Sequence, residues 1–289
     1  MAAAAPSQRL ALGASSRFGN ARYAWRRLSL GDRVALALLG AVFVACMVAP
    51  FFAPHPYDQQ VGQPFQGPGG GALMGTDDVG FDVFSRILSG ARQSWLSALA
   101  VVAVGGSFGA LLGLIAGAVG GWVDAVLMRI TDAFLALPAP MIAIAFAVSL
   151  GPSQSHALLA VVIVWWPVYA RIVRGAVKAL TSRPSVEAAR LGGVSTRRIW
   201  FRHLLPGAMR PVLVTASHDI GSLILLLASL SFLGLGSPDP AAELGSMVSK
   251  ALPFLLTAPW AVLYPASAVF LIAFLSNIAG DAAQQLFQD

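Results

Sequence analysis

Six apolar runs separated by polar breaks make up most of the 289-residue chain. They fall at about 34–52, 95–120, 125–150, 157–172, 212–235 and 260–279. A bilayer core asks for about 20 apolar residues per helix, so each run predicts a transmembrane span. The first is nearly pure Ala, Val and Leu and stops before Pro54, and the third is interrupted by Pro138 and Pro140. Within the second, Gly109, Gly113 and Gly117 recur every four residues, the spacing that lets two helix backbones approach closely. Either intramolecular packing or a pore-facing or subunit-facing stripe fits that spacing. The expected fold class is an all-α integral membrane protein with six transmembrane helices.

Charge orients the spans. Put the N-terminus inside, and Arg9, Arg17, Arg22, Arg26, Arg27 and Arg33 lie inside with it. So do Arg129 and the nine basic residues from Arg171 to Arg210, between the fourth and fifth runs. Sixteen of the 19 basic residues are then cytoplasmic, and only Arg86, Arg92 and Lys250 are external. Positive charge is retained inside, so an N-in, C-in topology is expected. The 33-residue leader and 19-residue first run exceed a secretory signal peptide, whose apolar region is about 7–15 residues. Cys46, the lone cysteine, is expected to be a small residue within a lipid-embedded helix.

Composition removes the competing classes. Hydrophobic residues reach 57% and charged residues only 11%, against about 25% charged in soluble domains. A soluble enzyme and a disordered chain are both excluded. The net charge of +6 has no basic stripe interleaved with aromatics, so no nucleic-acid partner is expected. His55, His156, His203 and His218 share no metal-ligand spacing. No phosphate-binding loop, nucleophile elbow or zinc-protease motif occurs, so the chain is expected to have no catalytic site and to bind no cofactor or metal. His218 and Asp219, adjacent inside the fifth run, are candidates to line a wet cavity or to pair with a neighbouring helix. The external segment 54–93 is expected to form an ordered cap. In it Val83, Phe84, Ile87 and Leu88 pack inward, and Asp77, Asp78 and Asp82 stay wet.

The long cytoplasmic loop carries the most information. Ser185 followed by Val186, Glu187 and Ala188 predicts a helix start with an acid in its first turn. Gly192-Gly193 predicts its stop. A second short helix, basic on one side and apolar on the other, is expected over 196–205, ending before Pro206. The pair would form a compact docking knob rather than a membrane-surface helix.

Here the chain resembles a known family. Glu187-Ala188-Ala189, Gly193 and Leu205-Pro206 resemble the EAA loop of ABC importer permeases, with His203 where many members carry Ile. The run Gly75-Thr76-Asp77-Asp78-Val79-Gly80-Phe81-Asp82-Val83-Phe84-Ser85-Arg86, with Gly90, Arg92 and Ser94, resembles a segment of the oligopeptide and dipeptide permeases. Phe81 stands there in place of Arg or Gln. Arg129, Asp132, Pro138 and Pro140 resemble that family's third span. Leu230 to Gly236, Pro238 and Leu244-Gly245-Ser246-Met247 resemble its fifth span and outer loop, with Leu227 replacing a common acid. Asn277, Gly280 and Asp281 resemble its end. The resemblance covers about residues 30–289 and is to the C-type permease subunit of peptide, nickel or glutathione importers.

The resemblance implies half of a translocation pore for oligopeptides or dipeptides in the bacterial plasma (inner) membrane. Nickel or glutathione is the alternative cargo in the same family, and an ion-coupled secondary transporter is the rival class. It implies a homologous second permease subunit as heterodimer partner, two ATPase subunits or one fused ATPase, an extracytoplasmic substrate-binding protein, and the lipid bilayer. ATP and Mg would reside on the ATPases. ATPase coupling would fall to Val186, Glu187, Ala188, Ala189, Gly193, Arg197, Arg198, Leu205 and Pro206. Asp132, His218, Asp219 and Ser222 are the pore-lining candidates. The expected organisation is a cytoplasmic segment 1–33, a permease domain 34–281 and a cytoplasmic tail 282–289. The domain would include the external segment 54–93, the coupling loop 176–210 and the external loop 236–258.

Overall fold

A computed structural model describes the backbone at residues 33, 34, 37, 40, 41, 43, 44 and 47–288, with side chains up to Gly280 apart from Ala49. Most of segment 1–33, part of the first apolar run, Cys46 included, and the side chains of the tail lie outside the described residues. Among the described residues the architecture is helical, with only isolated β-bridges in the segment ahead of the first long helix. The helices are α1 (Val83–Val119), α2 (Gly121–Leu135), α3 (Ala139–Leu150), α4 (Gln154–Thr181), α5 (Pro184–Leu191), α6 (Thr196–Ile199), α7 (Leu205–Phe232), α8 (Leu244–Ala251) and α9 (Pro259–Gln288). Among the described residues four helical stretches are long and apolar enough to cross a membrane: α1, α4, α6 continuing into α7, and α9.

The expected third span is not one straight helix. α2 and α3 meet at 87°. Pro138 is the cause: it supplies no backbone N–H, disfavours a helical Leu137, and itself takes an extended ψ of 123° at the head of α3. Pro140 is accommodated in the first turn of α3, where an N–H would be unpaired in any case. The helix expected to stop before Pro206 does not stop. A single π-turn over Trp200–Leu204 carries α6 into α7, with the Leu205 N–H donating to the Trp200 carbonyl. Widening the turn by one residue lets the chain pass a proline without a break. The expected loop 176–210 is therefore largely helical, and the apolar run at 157–172 lies within a longer α4 of 28 residues.

Small residues set the packing. α1 lies along α4 with Gly109, Gly113 and Gly117 on the seam. A Cβ at Gly113 would stand 2.9 Å from Val173 Cβ, and one at Gly117 would stand 2.9 Å from Val177 Cβ. The glycine stripe thus serves packing within the chain. On the other side α7 packs on α9, where a Cβ at Gly221 would meet the Ala273 carbonyl at 2.8 Å. One apolar core joins Val83, Trp95, Val101, Leu223, Leu230 and Leu244 at the α1 N-terminal end. Phe43, midway along the expected first span, touches it, its ring meeting Trp95 edge-on at 5.1 Å. A second core joins Leu114, Tyr169, Val173 and Val177 to Val186, Ile199 and Leu204 of the knob.

The segment before α1 is an ordered cap without regular elements. Val61 N–H donates to the Gly80 carbonyl at 2.9 Å, and Phe65 N–H to the Asp77 carbonyl at 2.9 Å. Phe65 stacks obliquely on Phe254 at 4.4 Å, tying the cap to the turn after α8. The expectation for three of its acids is corrected: of Asp77, Asp78 and Asp82 only Asp78 is exposed, and the other two are buried. Both carboxylates are held by hydrogen bonds, which is how a buried charge is tolerated.

Candidate functional site

The knob is built from α5, the glycine turn and α6. Val186 is buried, and with Ala189 and Val194 it faces the second core. Glu187, in the first turn of α5, and Ala188 face solvent. A carboxylate there is favoured by the helix dipole. Among the described residues Glu187 makes no ion pair, so its charge is presented outward. The stop read from Gly192-Gly193 is a Schellman closure. Gly193 N–H donates to the Arg190 carbonyl at 3.1 Å and Val194 N–H to the Ala189 carbonyl at 3.0 Å. Gly193 takes φ +73, in the left-handed region that favours glycine. Arg197 and Arg198 follow on the exposed side of α6. Leu205 is half-buried against the second core, whereas Pro206 and His203 are exposed.

The four pore candidates do not converge on one another. His218, Asp219 and Ser222 share α7, and Ser222 stands one turn beyond His218 on the same face. Asp219 is committed to α4: Trp165 Nε1 donates to its carboxylate at 2.8 Å. Asp132 lies on a different seam, paired with Arg171 between α2 and α4. That seam also holds the cluster that sequence reasoning missed. Asp124 of α2 accepts from Arg174 Nη2 at 2.8 Å and from Lys178 Nζ at 2.6 Å. The signal was present: Arg171, Arg174 and Lys178 sit at helical spacing on one face of α4. The apolar run fades at about 172, so hydropathy alone assigns these charges to the cytoplasmic loop. In the structure they zip α2 to the half of α4 that leads into the knob.

At the other end of α1, Arg86 is almost fully buried and joins three segments. Its Nε stands 3.2 Å from the Asp77 carboxylate. Its Nη atoms donate to the carbonyls of Tyr57 at 3.1 Å, Pro240 at 3.3 Å and Ala241 at 3.0 Å. Asp77 also accepts the N–H groups of Val79, Gly80 and Phe81. Burial pushes the Asp77 carboxyl up, and Arg86 with these N–H groups only partly opposes it. Phe81 lies 4.9 Å from the Arg86 guanidinium, within cation–π range. Asp82 caps α1 by accepting from Ser85 N–H at 3.1 Å. Glu243 links α7 to α8, accepting from Ser231 Oγ and from Ser237 N–H at 3.0 Å. Among the described residues no group of three or more His, Cys, Asp or Glu is placed to hold a metal ion.

A bundle of apolar helices packed through small residues, with an ion-anchored cap at one end and a polar knob at the other, defines a multi-helix membrane protein. Residues 109–289 match the family described as the binding-protein-dependent transport system inner membrane component, and the chain belongs to that family. It is 37% identical over 94% of its length to the probable D,D-dipeptide transport system permease protein DdpC of Escherichia coli, covering 92% of that protein. It is 38% identical over 86% of its length to the dipeptide permease DppC of Alkalihalophilus pseudofirmus, covering 82% of it. The glutathione transport system permease protein GsiD of Pectobacterium atrosepticum is 38% identical over 89% of the chain, and 87% of that protein is covered. A solved structure of the inward-facing MetNI methionine ABC transporter aligns with a TM-score of 0.48 and 22% identity over 64% of this chain and 90% of that one. The chain is thus a multi-pass component of the bacterial inner membrane.

Proposed function

We propose that the chain is the permease subunit of an ATP-driven peptide importer, forming half of its pore. The observation that carries this is its 37% and 38% identity, over most of its length, to permeases of dipeptide systems. A homologous second permease supplies the other half of the pore, two ATPase subunits or one fused ATPase bind beneath, and an extracytoplasmic binding protein delivers the peptide. ATP and Mg belong to the ATPases. The chain has six spans with both ends inside, cap 54–93 and loop 236–258 outside, and knob 176–210 in the cytoplasm.

The knob is the coupling element. Glu187, Ala188, Arg197 and Arg198 meet the ATPase, and the small Ala188 lets α5 seat deeply. Val186, Ala189 and Leu205 transmit the push, because they share a core with Val173 and Val177 of α4 and Val212 of α7. ATPase closure thereby biases two packings of the bundle against each other. Gly193 sets the angle between α5 and α6, and Pro206 marks the entry to α7. His218 and Ser222 line the route on α7, Asp219 holds α7 to α4 behind them through Trp165, and Asp132 serves the α2–α4 seam. Glu187→Lys is the test. With the spans still inserted, it is expected to reduce ATPase co-purification and abolish ATP-dependent dipeptide uptake in proteoliposomes. Full docking and uptake in that variant would refute the coupling role.

A further inference from the structure

On the proposed topology the outer half of the chain carries three cations, and structure consumes two of them. Arg86 is buried against Asp77 and three carbonyls. Lys250 pairs with Asp239. Arg92 differs. It makes no hydrogen bond or ion pair among the described residues, and its Nε is shut off from solvent without a partner. It borders a cleft of about 460 Å³ between α1, the start of α4 and the segment before α8. Small-molecule sites run from about 300 to 1,000 Å³. The neutral rim includes Gln93, Gln154 and Ser89, groups that can orient a polar ligand. Glu243 is the one anion in the lining, and both of its oxygens already accept hydrogen bonds. An uncompensated guanidinium in a cavity of this size is matched by a carboxylate, whose two oxygens fit its planar fork.

We infer that Arg92 is a recognition group in this outer cleft for the C-terminal carboxylate of an incoming peptide. The inference rests on the peptide-importer reading. Its role is to bind and orient the peptide after the binding protein releases it, at the mouth of the pore.

The experiment uses the assembled permease–ATPase complex in nanodiscs, without binding protein, and radiolabelled dialanine as the probe. Wild type is expected to bind dialanine saturably. Arg92→Gln is expected to weaken that binding at least tenfold, and Arg92→Lys to weaken it less. Dialanine amide, which lacks the carboxylate, is expected to bind wild type weakly and to lose nothing further in Arg92→Gln. Absent saturable binding to wild type, equal dialanine binding by wild type and Arg92→Gln, or an equal loss for acid and amide would overturn the inference. Loss of the second permease from the Arg92→Gln complex would also overturn it, since Arg92 would then hold the partner. ATP-driven dialanine uptake by wild-type proteoliposomes with binding protein reads the parent proposal separately. No uptake sinks the peptide reading, whereas uptake combined with Arg92-independent binding sinks only the role of Arg92.

Discussion

The Val194 N–H donates to the Ala189 carbonyl at 3.0 Å, closing α5 and swinging the chain into α6. The closure depends on Gly193 at φ +73, a conformation that disfavours side chains bearing a Cβ by about 1–2 kcal/mol. Nothing lies within 4 Å of a Cβ built there, so the penalty is conformational rather than a clash. Gly193→Val is expected to misalign the knob, reducing ATPase co-purification and abolishing uptake while the spans still insert. Gly193→Asn, which tolerates the left-handed region, should retain most of both. Equal activity in the two variants would count against the closure.

Arg86 tests the outer cap. Breaking a buried pair from one side leaves the other charge uncompensated, at about 3–5 kcal/mol. Arg86→Ala also orphans the three carbonyls it serves. Limited proteolysis of the purified complex should then cut within residues 55–80, where wild type resists. Arg86→Lys is expected to rescue little, because a point charge cannot span Tyr57, Pro240 and Ala241 together.

Gly113 tests the α1–α4 seam. A larger side chain meets Val173 Cβ and the Arg174 backbone, neither of which is a flexible tip that can move aside. Overpacking of this kind costs about 1–3 kcal/mol or more. Gly113→Leu should lower the yield of folded protein in detergent and its melting temperature. Substitution of Gly175, which has open space around it, should be nearly silent. Comparable losses at both positions would argue against the seam.

Topology can be read by labelling. In a Cys46→Ser background, Pro238→Cys and Ser195→Cys both place a thiol at an exposed position. An impermeant thiol reagent added outside is expected to modify residue 238 and to spare residue 195 until the membrane is opened. The reverse pattern would invert the orientation.

Hydropathy and charge placement by themselves determined the class, the number of apolar runs and the expected orientation. Those properties sum over long stretches and do not depend on which residues meet. The helix stop at Gly193 was equally legible, because a Schellman closure uses only local backbone bonds. Tertiary structure alone decided the rest. Asp77 and Asp82 read as wet because they are acidic, yet Asp77 is buried against Arg86, which the distant carbonyls of Tyr57, Pro240 and Ala241 hold in place, and Asp82 is buried as the cap of α1. Pro206 read as a terminator because a π-turn leaves no mark on composition. Arg171, Arg174 and Lys178 read as loop charges because their partners, Asp124 and Asp132, lie 39 to 54 residues away. The isolation of Arg92 likewise appears only when the fold shows which external cations have found partners, since pairing is a matter of distance in space and not along the chain.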